Sequence, residues 1–398
     1  MLRTLPQLRM LDACDTRIDY TGNTGTRYFS QRLLSKDVTL SPRLDNIRWI
    51  ALRLALEDGN DNIDDSESYT KYIDKLSFLL IKQGNLSFQS LFGPDERAPH
   101  TGILRYDYLS AVSYTGHLSL VRELCQAPEN TVVQVGTLGC PYTAAALGGH
   151  IAIIDFLLDI ADSHGRGATG ILTSQMLYTA SQAGSLHTIQ HLLASKWKPR
   201  LWYPKGTRMR ASNIDTFHSA MITPNVKILD ALLAFKAASS SPDKTLSQQQ
   251  LAETLRECCA RGHTEVAAYL IDLGASIEGA EGAYPLPVCE QAGIMSLVLQ
   301  RSKESVNTGF ELIKAIKMGR LDVVKVLVED GTSTSRLMPE SIVSAVELED
   351  DRMFRFLVEH CALTAGDAGK GAMAKAKEQG NHSMVSLLWE HGVGVHVE

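Results

Sequence analysis

The sequence predicts an all-α fold, a stack of helix–turn–helix units behind a divergent helical N-terminal head. Three observations predict it. A short phrase recurs along the chain: glycine, then histidine or another polar residue, then an apolar pair, then leucines. Within each copy the apolar residues follow the i, i+3, i+4 spacing of one helix face. The chain has 398 residues, more than one ordinary core holds, so it divides into domains or adds core unit by unit.

The fullest copies begin at Gly116-His117-Leu118, Gly149-His150-Ile151, Gly184-Ser185-Leu186, Gly262-His263-Thr264, Gly319-Arg320-Leu321 and Gly380-Asn381-His382. Weaker copies centre on Pro224-Asn225-Val226, Gly293-Ile294-Met295 and Asp350 to Phe354. That makes nine candidate units. A helix of small residues precedes the phrase, as Ala144, Ala145 and Ala146 do before Gly149, and lets the paired helix approach. Gly274 and Gly331 stand where a C-cap glycine belongs. One such unit cannot bury its apolar face alone, so the units must stack.

The pattern resembles ankyrin repeats from about Tyr106 to the C-terminus, with a period scattered around ~33 residues. An ankyrin-repeat solenoid is the expected fold. The Thr-Pro-Leu-His signature is degraded to Cys140-Pro141-Tyr142-Thr143 and Tyr284-Pro285-Leu286-Pro287. His117, His150 and His263 share one repeat position. Two readings stand there: rings that hydrogen-bond neighbouring turns, or ligands and catalytic groups.

Residues 1–100 form the head and 101–398 the array, with an insertion at 196–212. In the head, Ile47 to Glu57 and Tyr72 to Gln83 read as amphipathic helices, the second stopped by Gly84. This pair is expected to serve as a degenerate capping repeat. Between them run Glu57, Asp58, Asp61, Asp64, Asp65 and Glu67, the densest carboxylate cluster of the chain. It fails as a calcium loop, with Ile63 and Tyr69 where glycine and glutamate are needed. It reads either as a solvated connection or as a site for a cation such as a guanidinium.

The opposite charge gathers in the insertion. Lys196, Trp197, Lys198, Arg200, Trp202, Lys205, Arg208 and Arg210 combine cations with interleaved aromatics and no acid. That is the chemistry of RNA backbone contact and base stacking. The alternative is a loop whose aromatics pack on the repeats. Two other segments are expected to be plain connections: the glycine-rich turn Thr21 to Arg27, and the linker Ser239 to Asp243 before a helix near Leu246.

A net charge of −6 excludes a wholesale nucleic-acid coat. The seven cysteines include no Cys-x-x-Cys pair, so neither a metal site nor a disulfide framework is expected. With no long apolar run and no secretory leader, a cytoplasmic protein without membrane segments is the expectation.

In its architecture, a helical head plus degenerate repeats and no other domain, the chain resembles the fungal arginine-containing cyclodipeptide synthases. The resemblance implies an enzyme that joins arginine from aminoacyl-tRNA with a second amino acid as a diketopiperazine. It implies aminoacyl-tRNA and arginine as partners and no cofactor. That family uses Asp-Asp-x-x-Glu. Here Asp64-Asp65-Ser66-Glu67 is one residue short, and Asp350-Asp351 lacks a following glutamate although Glu347 and Glu349 precede it. The resemblance therefore points to Asp64, Asp65, Glu67, Asp350 and Asp351 as catalytic residues. An aminoacyl ester is already activated, so its aminolysis needs orientation and a base more than a nucleophile. The alternative is a non-catalytic repeat scaffold with an unidentified protein partner.

Overall fold

The computed structural model describes residues 23–35, 42–59, 67–83, 101–126, 136–163, 169–199, 216–239, 245–276, 291–301, 308–330, 338–360 and 367–392. Among them the secondary structure is helical, apart from one isolated antiparallel bridge between Gly136 and Gly139. The chain divides into two compact units, Met1–Met221 and Ile222–Glu398.

The N-terminal unit opens with α1 (Asn23–Leu34), α2 (Pro42–Glu57) and α3 (Glu67–Gln83). The glycine-rich segment expected to be a turn is, from Asn23 onward, the first turns of α1. Both expected head helices are present and start earlier, at Pro42 and Glu67. Proline at the start of α2 loses nothing there, because the first N–H groups of a helix have no partner inside it. Ile47, Ile50, Ala51, Leu54 and Ala55 of α2 are buried, as are Ile73, Leu76 and Leu80 of α3, so the expected apolar stripes are the core-facing ones.

Helical hairpins follow: α4 (Thr101–Thr115) with α5 (Leu118–Cys125), α6 (Pro141–Gly148) with α7 (Ile151–Ser163), and α8 (Thr169–Gln182) with α9 (Leu186–Ala194). α10 (Thr216–Ala220) closes the unit. First helices pack on first helices along α4, α6, α8 and α10, while α5 packs on α7. α2 and α3 both pack on α4.

The C-terminal unit holds α11 (Val226–Ala238), α12 (Gln248–Ala260), α13 (Thr264–Asp272), α14 (Ala292–Arg301), α15 (Thr308–Lys317), α16 (Leu321–Glu329), α17 (Met338–Glu347), α18 (Asp351–His360), α19 (Asp367–Glu378) and α20 (His382–Glu390). The same order of packing holds: α15, α17 and α19 stack, and α11, α13, α14, α16 and α18 stack beside them. α12 begins where its sequence says. The Ser247 hydroxyl accepts from Gln250 N, and Gln250 Oε1 accepts from Ser247 N, a reciprocal cap.

One turn recurs in every complete hairpin. Gly116, Gly149, Gly184, Gly262, Gly319 and Gly380 are left-handed, with φ between 67° and 93°. The next residue caps the second helix; at His117, Ser185, His263, Arg320 and Asn381 its φ lies between −93° and −79° and its ψ between 69° and 85°. Its N–H bonds back five residues, as from His117 to Val112, His263 to Cys258 and Asn381 to Ala376. This ties off the carbonyls at the end of the first helix. After Gly149, Gly262, Gly319 and Gly380 the residues four, five and eight places beyond the turn glycine are buried: Ile153, Ile154 and Leu157; Val266, Ala267 and Leu270; Val323, Val324 and Leu327; Met384, Val385 and Leu388. After Gly116 only Val121 of the three is buried, with Leu120 and Leu124 half-buried.

Adjacent second helices are also joined at a fixed register. The sixth residue past one turn meets the seventh past the next. Arg122 lies 5.7 Å over the Phe156 ring, Asp155 bonds His191 at 2.7 Å, Asp230 accepts from the Tyr269 hydroxyl, and Lys325 lies 5.7 Å over Phe356.

Candidate functional site

The repeat histidines diverge in what they touch. His150 Nε2 donates to the Tyr114 carbonyl at 2.9 Å, and the ring lies against Gly116 and Gly148. A Cβ on Gly116 would come within 2.6 Å of the His150 ring, so glycine is needed there for space as well as for backbone. Burial, with help from Lys75 and His117, pushes the His150 pKa down. His150 is thus a structural pin between successive turns, as the first reading expects.

His117 holds the same position in the first full hairpin, where the preceding element is the head. Its Nδ1 is 2.8 Å from Thr115 Oγ1. Its Nε2 is 3.2 Å from Tyr72 Oη and 3.4 Å from Asp58 Oδ1. The Tyr72 hydroxyl in turn donates to Asp58 Oδ2 at 2.6 Å. α2 ends at Glu57 and leaves Asp58 in the turn after it, Tyr72 comes from the buried face of α3, and the repeat turn supplies His117. Asp58 and His117 are both reached by solvent, and Tyr72 is buried.

Counting protons shows what this cluster can do. Tyr72 has one proton and gives it to Asp58, so its oxygen accepts from His117 Nε2–H. Thr115 Oγ1 lies 2.8 Å from both the Ala111 carbonyl and His117 Nδ1. If its proton goes to Nδ1 the imidazole is neutral; if it goes to Ala111, Nδ1 donates and the ring is cationic beside Asp58. The Tyr72 hydrogen bond, more than His117, holds the Asp58 carboxyl below its ordinary pKa. Burial, then Asp58, pushes the Tyr72 phenol up. Lys75 Nζ sits 5.6 Å from the Tyr72 ring centroid, and burial together with Lys71 lowers its pKa.

A second carboxylate is wholly enclosed. Asp107 of α4 accepts from Leu138 N at 2.8 Å and so braces the 136–139 turn, while its Oδ2 has no hydrogen-bond partner. Burial raises its pKa to about 6.

The residues expected from sequence are placed as follows. Asp64 and Asp65 lie outside the described residues; Glu67 is exposed in the first turn of α3. Asp350 Oδ1 accepts from Arg352 N and Met353 N, both at 3.1 Å, which makes it the N-cap of α18, and Asp351 is exposed beside it. Glu67 belongs to the N-terminal unit, and Asp350 and Asp351 to the C-terminal one. Lys196 is exposed, pairs with Asp159 at 3.1 Å and lies 4.2 Å over the Trp197 ring. Trp197 is half-buried, its indole N–H enclosed without an acceptor, and Lys198 is exposed. Arg200, Trp202, Lys205, Arg208 and Arg210 lie outside the described residues. Cys125, Cys140, Cys258 and Cys259 are free thiols, and no metal-binding cluster occurs among the described residues. No described helix is long and apolar enough to cross a membrane.

Sequence reasoning named Asp58 in the acidic loop and His117 in the repeat but did not join them, and it missed Tyr72 as a polar group. The available signal was position: His117 opens the first full phrase, so no earlier copy could supply the carbonyl that occupies His150.

No family model matches the chain, and no curated protein matches it.

Proposed function

We propose that the chain is an ankyrin-type repeat array acting as an arginine-containing cyclodipeptide synthase, with Asp58, Tyr72 and His117 as its proton-handling site. The recurrent turn, its spacing of 30–35 residues from Gly116 through Gly149 to Gly184 and from Gly319 through Glu349 to Gly380, and the stacking of like helices on like support the ankyrin part. One contrast carries the enzymatic part. His150 is spent on a backbone carbonyl, whereas His117, at the equivalent position, faces a tyrosine and a carboxylate that solvent reaches.

The chemistry needs little more than that. The amine of one aminoacyl group attacks the ester carbonyl of the other. An amide forms, the ester C–O bond breaks, and the tRNA 3′-oxygen leaves with a proton. A second aminolysis closes the ring, so two esters are consumed and two amides formed. The hydrogen-bonded Asp58, Tyr72 and His117 together take the proton from the attacking amine and return it to the leaving oxygen. Asp58 and Tyr72 hold the ring and balance its charge. With aminoacyl-tRNA as substrate, the reaction is cytoplasmic and belongs to secondary metabolism.

The test is metabolite analysis of a host expressing only this chain, followed by purified protein with arginyl-tRNA and a panel of other aminoacyl-tRNAs. The expected product is a cyclic dipeptide containing arginine, abolished by ribonuclease. Uncharged tRNA does not replace the charged form. No product with any partner overturns the reading.

A second reading, a non-catalytic scaffold, draws on Met318 and Leu348. Each immediately precedes the turn residue of its hairpin, and both are exposed apolar side chains. A stoichiometric protein complex lost on Met318→Ser with Leu348→Ser, together with absence of product, would favour it.

A further inference from the structure

The exposed face of α3 carries Lys71, Lys75, Phe78 and Lys82. At 100° per residue these four fall within an arc of about 60°, and their rise spans about 16 Å. Lys71 and Lys82 are exposed, and Lys75 and Phe78 half-buried. The acids of this helix are Glu67 in its first turn and Asp74. Among the described residues none of the three lysines lies within salt-bridge distance of a carboxylate. The aromatic groups are ordered: Phe78 stacks on Tyr114 with centroids 6.4 Å apart and planes at 20°, and Lys82 Nζ lies 5.7 Å from the Phe78 centroid. Lys75 connects this stripe to the proton-handling cluster through its place over Tyr72.

Three aligned cations with no carboxylate partner among the described residues, beside the Phe78–Tyr114 pair, in a chain of net charge −6, want an anionic partner with flat faces. A membrane surface would use the charge but has no use for the stacked rings. A single-stranded polynucleotide uses both, phosphates on the lysines and a base on Phe78 and Tyr114. We propose that the Lys71–Lys75–Phe78–Lys82 face of α3, with Tyr114, binds the single-stranded 3′ end of RNA and leads it to His117. The 16 Å span corresponds to about five nucleotides of a stacked strand. This rests on the synthase reading for its direction, and on the α3 geometry alone for RNA binding itself.

The test uses the full chain and a fluorescein-labelled single-stranded RNA of about a dozen nucleotides, followed by anisotropy across a salt series. With Lys71, Lys75 and Lys82 all changed to Ala, affinity should fall at least tenfold and the log–log salt slope should lessen by about 2. The triple Lys→Arg variant should bind as the parent does, which separates charge from folding. Phe78→Ala should weaken binding about tenfold with the salt slope unchanged. Unaltered affinity in the triple Ala variant, with its circular dichroism intact, overturns the proposal. So does equal binding of the parent to phosphatidylserine vesicles that outcompete the RNA. If RNA binding depends on α3 but no cyclic dipeptide forms, the stripe stands and the synthase reading falls. If product forms and the triple Ala variant makes it equally well, the reverse holds.

Discussion

Glu349 holds a left-handed backbone, φ 55°, at the place that Gly319 fills one hairpin earlier with φ 69°. It is the one positive-φ residue other than glycine among the described residues. The turn geometry is therefore imposed by the two helices it joins, and a residue with a side chain is forced into it. A left-handed residue other than glycine costs about 1–2 kcal/mol. Glycine gives back part of that through unfolded-chain entropy, about 0.5–1 kcal/mol. Glu349→Gly should stabilise the C-terminal unit by about 0.5–1 kcal/mol. Gly319→Ala, with open space around its Cβ, should cost about 1 kcal/mol by backbone alone. Urea midpoints of the two variants on opposite sides of the parent are the expected result.

Asp107 makes stability depend on pH in the unusual direction. Its folded pKa, about 6, is raised above the ordinary 3.8. Its contribution is therefore fully present below about pH 4 and is lost as pH rises to about 6. The loss is on the order of 3 kcal/mol. The parent minus Asp107→Asn difference in unfolding free energy should fall across that window and be flat above it. Parallel curves would assign the carboxylate no such role.

The proposed synthase activity separates the two histidines. His117→Asn, Tyr72→Phe and Asp58→Asn should each lower cyclic dipeptide formation, the first by about 10²–10⁴. His150→Asn should lower the thermal midpoint through the lost bond to Tyr114, with product per folded molecule unchanged. Rates that fall equally for both histidine variants would place His117 among the structural residues.

At the start of the insertion, Lys196 and Trp197 are tied to the hairpin beneath them. The Lys196–Asp159 pair is largely exposed on both sides, so Lys196→Ala should shift stability by less than about 0.5 kcal/mol. Trp197→Ala removes half-buried aromatic area and should cost about 1–2 kcal/mol. Denaturation midpoints distinguish the two.

The hairpins were legible because each repeats a local signal, a glycine that accepts positive φ ahead of an apolar stripe. The degenerate copy at Asp350 was found through its Met353-Phe354 pair alone, since Glu349 erased the glycine. Asp350, expected as half of a catalytic pair, caps a helix: acids favoured at helix starts and acids needed for chemistry look alike in sequence. The 58–72–117 cluster was not legible as a unit. Its members lie far apart along the chain, and only the stacking of the head on the first hairpin joins them. Asp107 gave no signal, because a buried carboxylate bonded to a tight turn has no sequence spacing of its own.

The turn inside each hairpin is two or three residues long, whereas the stretch from one hairpin to the next varies widely: compare Ser163 to Thr169 with Ala194 to Thr216. Duplication, deletion or exchange of a gene segment that breaks in such a stretch keeps whole hairpins and adjusts nothing else. A break inside the turn separates the glycine from its cap. The coding sequence thus has natural joints, and it can lengthen or shorten by recombination at those joints while leaving the 58–72–117 cluster, which sits ahead of the first of them, untouched.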